Sequence, residues 1–176
     1  MTNKERIQDL MNNGSLEVLL KLFTKIIGKD ALDGKNGGYF TIQYLDENNT
    51  VISKKLNSIL AEKKEKYRCL STEKASRLKR NLTTGHLTSY ESRNPESTVI
   101  IEKGRIENWG HWGGAVLINK NFIFSFSGFP ELVDEAFVCF LGFKSGLMSK
   151  CQLGIIKKRR IDNPYLDIIY QELTKK

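Results

Sequence analysis

The chain has 176 residues, 40% apolar and 27% charged, with a formal net charge of +8. These are ordinary globular values, so they exclude wholesale disorder and fit one domain with a real core. No stretch approaches the ~20 uninterrupted apolar residues of a membrane span.

The opening MTNKERIQDLMNNG is polar and charged, unlike the apolar core of a signal peptide. Cys69, Cys139 and Cys151 are odd in number and show no CxxC spacing. A disulfide framework is therefore not expected, and the cytoplasm is the default location.

Thr2 and Glu5 have capping-box spacing, which predicts a short first helix with Ile7, Leu10 and Met11 inward. Ser15 is expected to cap a second helix. There Leu16, Leu19, Leu20, Phe23, Ile26 and Ile27 recur at helical spacing, and Gly28 ends it. Residues 1–28 thus form N-terminal helices. A turn-rich linker around Asp33, Gly34 and Asn36–Gly38 leads into a hairpin: residues 39–45 alternate, 46–49 turn, and Val51 and Ile52 begin the return strand.

Two polar helical stretches are predicted next, over 56–66 and from Ser71 or Thr72 to about Asn81, followed by a loop over 83–97. Residues 99–101 read as a short strand that Gly104 breaks. Residues 115–118 and 122–126 read as a hairpin. Pro130 suits a helix's first turn, and Leu132, Val133, Ala136, Phe137, Phe140 and Leu141 form a wide apolar stripe along that helix. A final helix is expected over about 164–173, within a C-terminal helical extension spanning 143–176. The order lacks a βαβ rhythm. It predicts a single α+β domain, 1–176, with an antiparallel sheet of about five strands packed with helices as a two- or three-layer sandwich.

The segment 109–135, WGHWGGAVLINKNFIFSFSGFPELVDE, carries the strongest signals for a site. Trp109 and Trp112 bracket His111, and Gly113 and Gly114 allow close backbone approach. The helix start near Pro130 offers N–H groups to an anion. Alternatively, Glu131, Asp134 and Glu135 simply complement the helix dipole. His86 and His111 are distant from each other and from any cysteine pair, a poor zinc set.

Basic residues cluster twice. The first run holds Lys63, Lys64, Lys66, Arg68, Lys74, Arg77, Lys79 and Arg80, interleaved by Glu62, Glu65 and Glu73; the second is Lys157 to Arg160. Both read as solvated surface or a charged edge, which makes nucleic acid the less favoured partner. No G-x-S-x-G elbow, Walker loop or HExxH motif is present, so no catalytic residue is assigned and enzymatic activity is left open.

The order of Gly113-Gly114-Ala115-Val116-Leu117-Ile118, Phe124-Ser125-Phe126-Ser127-Gly128 and Asp134-Glu135-Ala136 resembles the GlcG/HbpS-like heme-binding family, also seen as the C-terminal domain of PduO-type proteins. Lys74-Ala75 and Thr83-Thr84 are loosely similar to that family's upstream helix and following threonine. Phe129 replaces the family's second glycine, and no proline follows Gly113-Gly114. The resemblance implies a cytoplasmic, homo-oligomeric protein that binds heme or a similar planar or small ligand. His111 would be the axial metal ligand, with Trp109, Trp112, Gly113, Gly114, Ser127 and Gly128 around the ligand. The alternatives are a basic interaction module contacting nucleic acid or a protein, and a ligand-free assembly protein with an aromatic interface.

Overall fold

The computed structural model describes residues 1–12, 14–57, 61–100, 106–107 and 109–175. Helix α1 (Asn3–Met11) opens with the expected reciprocal capping box between Thr2 and Glu5. Helix α2 (Ser15–Ile27) starts differently from the sequence reading. Gly14, at φ +91°, occupies the N-cap, and Ser15 becomes the first helical residue without capping. Glycine takes that left-handed conformation without a Cβ penalty.

Strands β1 (Gly38–Tyr44) and β2 (Val51–Leu56) form the first hairpin. β3 (Val99–Ile100) and β4 (Ile106–Glu107) form a two-stranded ribbon, and β5 (Ala115–Ile118) and β6 (Phe122–Ser127) form the last hairpin. The main antiparallel sheet has four strands in the order β2-β1-β6-β5, not about five. The outer edge of β5 is already occupied: Thr88 bridges to Val116, and Leu117 N donates to Leu87 O at 2.9 Å. β3 therefore pairs with β4 instead of extending the sheet. The expected strand residue Ile101 and its breaker Gly104 lie outside the described residues.

Strand alternation sorts the sheet into two chemically distinct faces. Phe40, Ile42, Val116, Ile118, Phe122, Phe124 and Phe126 enter the large core. Thr41 and Ser125 lie on the opposite face with Ala115 and Ile123, beneath helix α3 (Ala61–Arg80).

Helix α3 is continuous where the sequence reading had two stretches. No glycine or proline falls between 61 and 80. Ser71 and Thr72 donate to Thr41 Oγ1 (2.8 Å) and Arg68 O (3.1 Å) instead of capping a new helix. Leu56, expected to open a helix, is fully buried at the end of β2.

Helix α4 (Glu131–Lys144) is buried from Val133 to Gly142 and packs on the apolar face of the sheet. The Phe137 ring lies 5.0 Å from both Phe126 in the sheet and Phe23 in α2, so it joins the two layers. Helices α5 (Lys150–Arg159) and α6 (Pro164–Thr174) add Leu153, Ile156, Leu166 and Ile169 to the same core. α5 lies within the expected C-terminal helical extension but was not foreseen as a separate helix. The α+β sandwich places α3 on one side of the sheet and α4, backed by α2 and α6, on the other. No helix among the described residues is long and apolar enough to cross a membrane.

Candidate functional site

His111 is fixed through its backbone, which exchanges hydrogen bonds with Asn94 at 2.7 and 2.8 Å. Its side chain is 27% exposed, and Nε2 lies 3.5 Å from Glu73 Oε1 on α3. Glu73 also accepts from Arg77 Nε at 2.8 Å. Arg77, itself buried, donates to Trp112 O (2.5 Å), Ser89 O (2.5 Å) and Ser92 O (2.7 Å). One arginine thus ties the aromatic loop to α3 and to the turn Ser89–Ser92.

The Trp112 indole closes the loop on itself, because its Nε1 donates to the Trp109 backbone carbonyl at 2.5 Å. Each indole carries a cation. Lys66 Nζ lies 5.8 Å from the Trp109 ring centroid, and the Arg93 guanidinium lies 5.4 Å from that of Trp112. Such cation–indole contacts are electrostatically favourable. His86 lies elsewhere, after the turn Leu82–Thr84, and its Nδ1 is buried without a partner.

The glycines expected to admit a ligand admit the protein itself. A Cβ at Gly113 would stand 2.8 Å from Tyr90 Cδ2, and one at Gly114 would stand 2.7 Å from Asp134 Cβ. Gly114 also adopts φ +117°. Gly128 abuts Gly37 and Gly38, while Ser127 is buried in register with Tyr39. Gly113, Gly114, Ser127 and Gly128 are therefore packed interior, whereas Trp109, His111 and Trp112 reach the surface in part.

The α4 N-terminus is likewise filled from within. Glu131 Oε2 accepts from Gly113 N at 3.0 Å, and Asp134 Oδ1 accepts from Phe129 N at 2.9 Å. These carboxylates do more than complement the helix dipole: they anchor the glycine loop and the turn after β6. Asp134 also holds Lys74 Nζ at 2.8 Å, and that ammonium donates to Phe126 O at 2.9 Å. Burial pushes the Asp134 carboxyl up to about 6 despite the opposing Lys74 charge. Burial likewise raises Glu135, which pairs with Arg160 at 3.0 Å.

These contacts overturn the solvated-surface reading of parts of both basic runs. Lys74 and Arg77 are buried. In the second run Lys157 and Arg159 stay at the surface, paired with Asp167 at 2.7 Å and Glu91 at 3.4 Å. Arg160 is buried against Glu135, with its guanidinium 3.5 Å from the Tyr90 ring centroid.

Glu73, Arg93 and Lys66 were missed as site residues. A signal was readable only for the buried side of α3, where the helical spacing of Leu70, Ala75 and Leu78 turns Ser71, Lys74 and Arg77 toward the sheet. Among the described residues no group of three or more His, Cys, Asp or Glu side chains is arranged to hold a metal ion.

The fold defines an α+β protein with a four-stranded antiparallel sheet, and the site is an aromatic loop pinned to α3. No family model, no curated protein and no solved structure matches the chain.

Proposed function

We propose that the protein binds a flat ligand with anionic substituents, of the heme class, at the surface made by Trp109, His111 and Trp112. One observation carries this reading. A part-exposed imidazole is flanked in the chain by two part-exposed tryptophans, and each indole already carries a cation. Indole faces supply flat apolar walls. Lys66 suits a carboxylate substituent at the ligand's rim, whereas Arg93 already holds Glu131 at 2.8 Å.

The donor set fits heme better than a bare ion. A porphyrin brings four of its iron's ligands and asks the protein for an axial nitrogen and apolar surroundings, whereas a zinc site needs several protein ligands. Nε2 faces Glu73 Oε1 across 3.5 Å, which would leave Nδ1 as the nitrogen for iron. The resemblance of residues 113–136 to the GlcG/HbpS-like family supports the same ligand class. Nucleic acid draws little support from the second basic run, since three of its four cations pair with carboxylates.

The test is an absorbance titration with hemin, comparing the unaltered chain with His111→Ala and with His86→Ala as the control.

A further inference from the structure

We propose that the outer face of α2 is a docking trough for an acidic amphipathic helix of a partner protein, a function separate from the aromatic loop. Helix α2 buries Leu16, Leu20 and Phe23 and turns two rows outward at spacing four. One row is apolar: Val18 and Leu22 are 63% and 37% exposed, and Ile26 is half-buried. The other is Lys21 and Lys25, continued by Lys29 just past the helix, and all three are exposed. Residues four apart on a helix stack along one face, so each row is a continuous stripe.

The surface is hollow rather than flat. Leu22 and Ile26 face Ile168 and Leu173 of α6 across a groove of about 450 Å³. A second groove of about 620 Å³ lies along Val18 and Leu19, and a third of about 620 Å³ along Lys21 and Thr24. Lys144 lines the first two and Lys25 the first and third, so the three join along α2. At about 1.5 Å per residue, a 13-residue helix offers a trough roughly 20 Å long. A partner helix of three to four turns matches that length.

Charge selects the occupant. Lys21, Lys25, Lys29 and Lys144 line the grooves, against the acidic Asp9 among the described lining residues, while Lys35 pairs with Asp33 at 3.5 Å. Glu172 is already paired with Lys175 at 2.5 Å. A second copy of a chain with net charge +8 would bring this face toward a like-charged molecule. An amphipathic helix with apolar anchors at i, i+4 and i+7 and glutamates on its flanks answers both rows.

The test uses a fluorescein-labelled synthetic peptide of about 18 residues with that leucine and glutamate pattern, long enough for helix to form on binding. A scrambled peptide of the same composition is the control, and binding is read by anisotropy. The patterned peptide should bind, more weakly as salt rises, and the Leu22→Asp/Lys25→Glu variant should lose at least roughly tenfold in affinity. Both altered residues are exposed, so the variant's melting temperature should match the unaltered chain. His111→Ala should bind the peptide normally, which separates this site from the aromatic loop. Equal binding of the scrambled peptide, or unchanged binding by the double variant, would overturn the proposal. No binding at about 1 mM peptide would also overturn it. So would Leu22-dependent capture by phosphatidylserine vesicles without peptide binding, or Leu22-dependent self-association in sedimentation.

Discussion

Lys74 Nζ and Asp134 Oδ2 lie 2.8 Å apart with both side chains only 2% exposed, and the pair links α3 to α4 past the end of β6. A buried pair of this kind is strongly destabilised when one partner is removed, because the other charge is left unpaired. Lys74→Met or Asp134→Leu should each cost about 3–5 kcal/mol in urea unfolding. The double variant Lys74→Met/Asp134→Leu should be more stable than either single variant. A double variant as unstable as the sum of the singles would show that the site does not behave as a pair.

The same carboxyl gives a pH dependence. Its ordinary value of 3.8 is raised to about 6 by burial, with Lys74 opposing the rise. Between these values the folded chain binds more protons at this group than the unfolded chain does. Its contribution to stability is therefore complete below pH 4 and lost as pH rises through about 6. Glu135 is raised by burial too and acts in the same direction. Denaturation midpoints from pH 4 to 6.5 should fall with rising pH, and less steeply in Lys74→Met/Asp134→Leu. An identical slope in that variant would remove Asp134 as the source.

Phe137 is fully buried between Phe126 and Phe23. Phe137→Ala should cost about 3–5 kcal/mol by opening a cavity between the sheet and α2. A melting temperature within a degree or two of the unaltered chain would contradict the placement of α4.

Arg160 and Lys158 are neighbours but two apart in the sequence, and they should behave in opposite ways. Arg160 is buried on Glu135 and Tyr90, while Lys158 is exposed. Arg160→Ala should destabilise by several kcal/mol, on the order of 3, because Glu135 is left unpaired. Lys158→Gln should stay within about 0.5 kcal/mol. Thermal melts of the two variants check this, and equal effects would contradict the burial of Arg160.

How far the sequence was readable follows from where the physics is local. The alternation FIFSFS, the stripe of α4 and the capping box at Thr2 each rest on a few adjacent residues, and each element formed as read. The strand count depended on a distant event, the covering of β5 by Leu87 and Thr88. α5 was obscured by Gly154, a poor helix former, although a Cβ there would make only ordinary contact with the Tyr170 ring at 3.6 Å. At the site, the Trp109-His111-Trp112 run stood out by composition. Its partners Glu73, Lys66 and Arg93 come from other segments, so nothing in the local sequence announced them. Gly113 and Gly114 advertised close approach correctly, but the approaching groups are Tyr90 and Asp134.

The most direct test of the account is the hemin titration read at the Soret band, with His111→Ala beside the unaltered chain. A saturable band should appear with the unaltered chain and with His86→Ala, and shift or vanish in His111→Ala. Trp109→Ala should keep the band position but bind roughly tenfold more weakly, since it loses a wall rather than a ligand. A band of unchanged position and affinity in His111→Ala would contradict the claim that this imidazole holds the ligand.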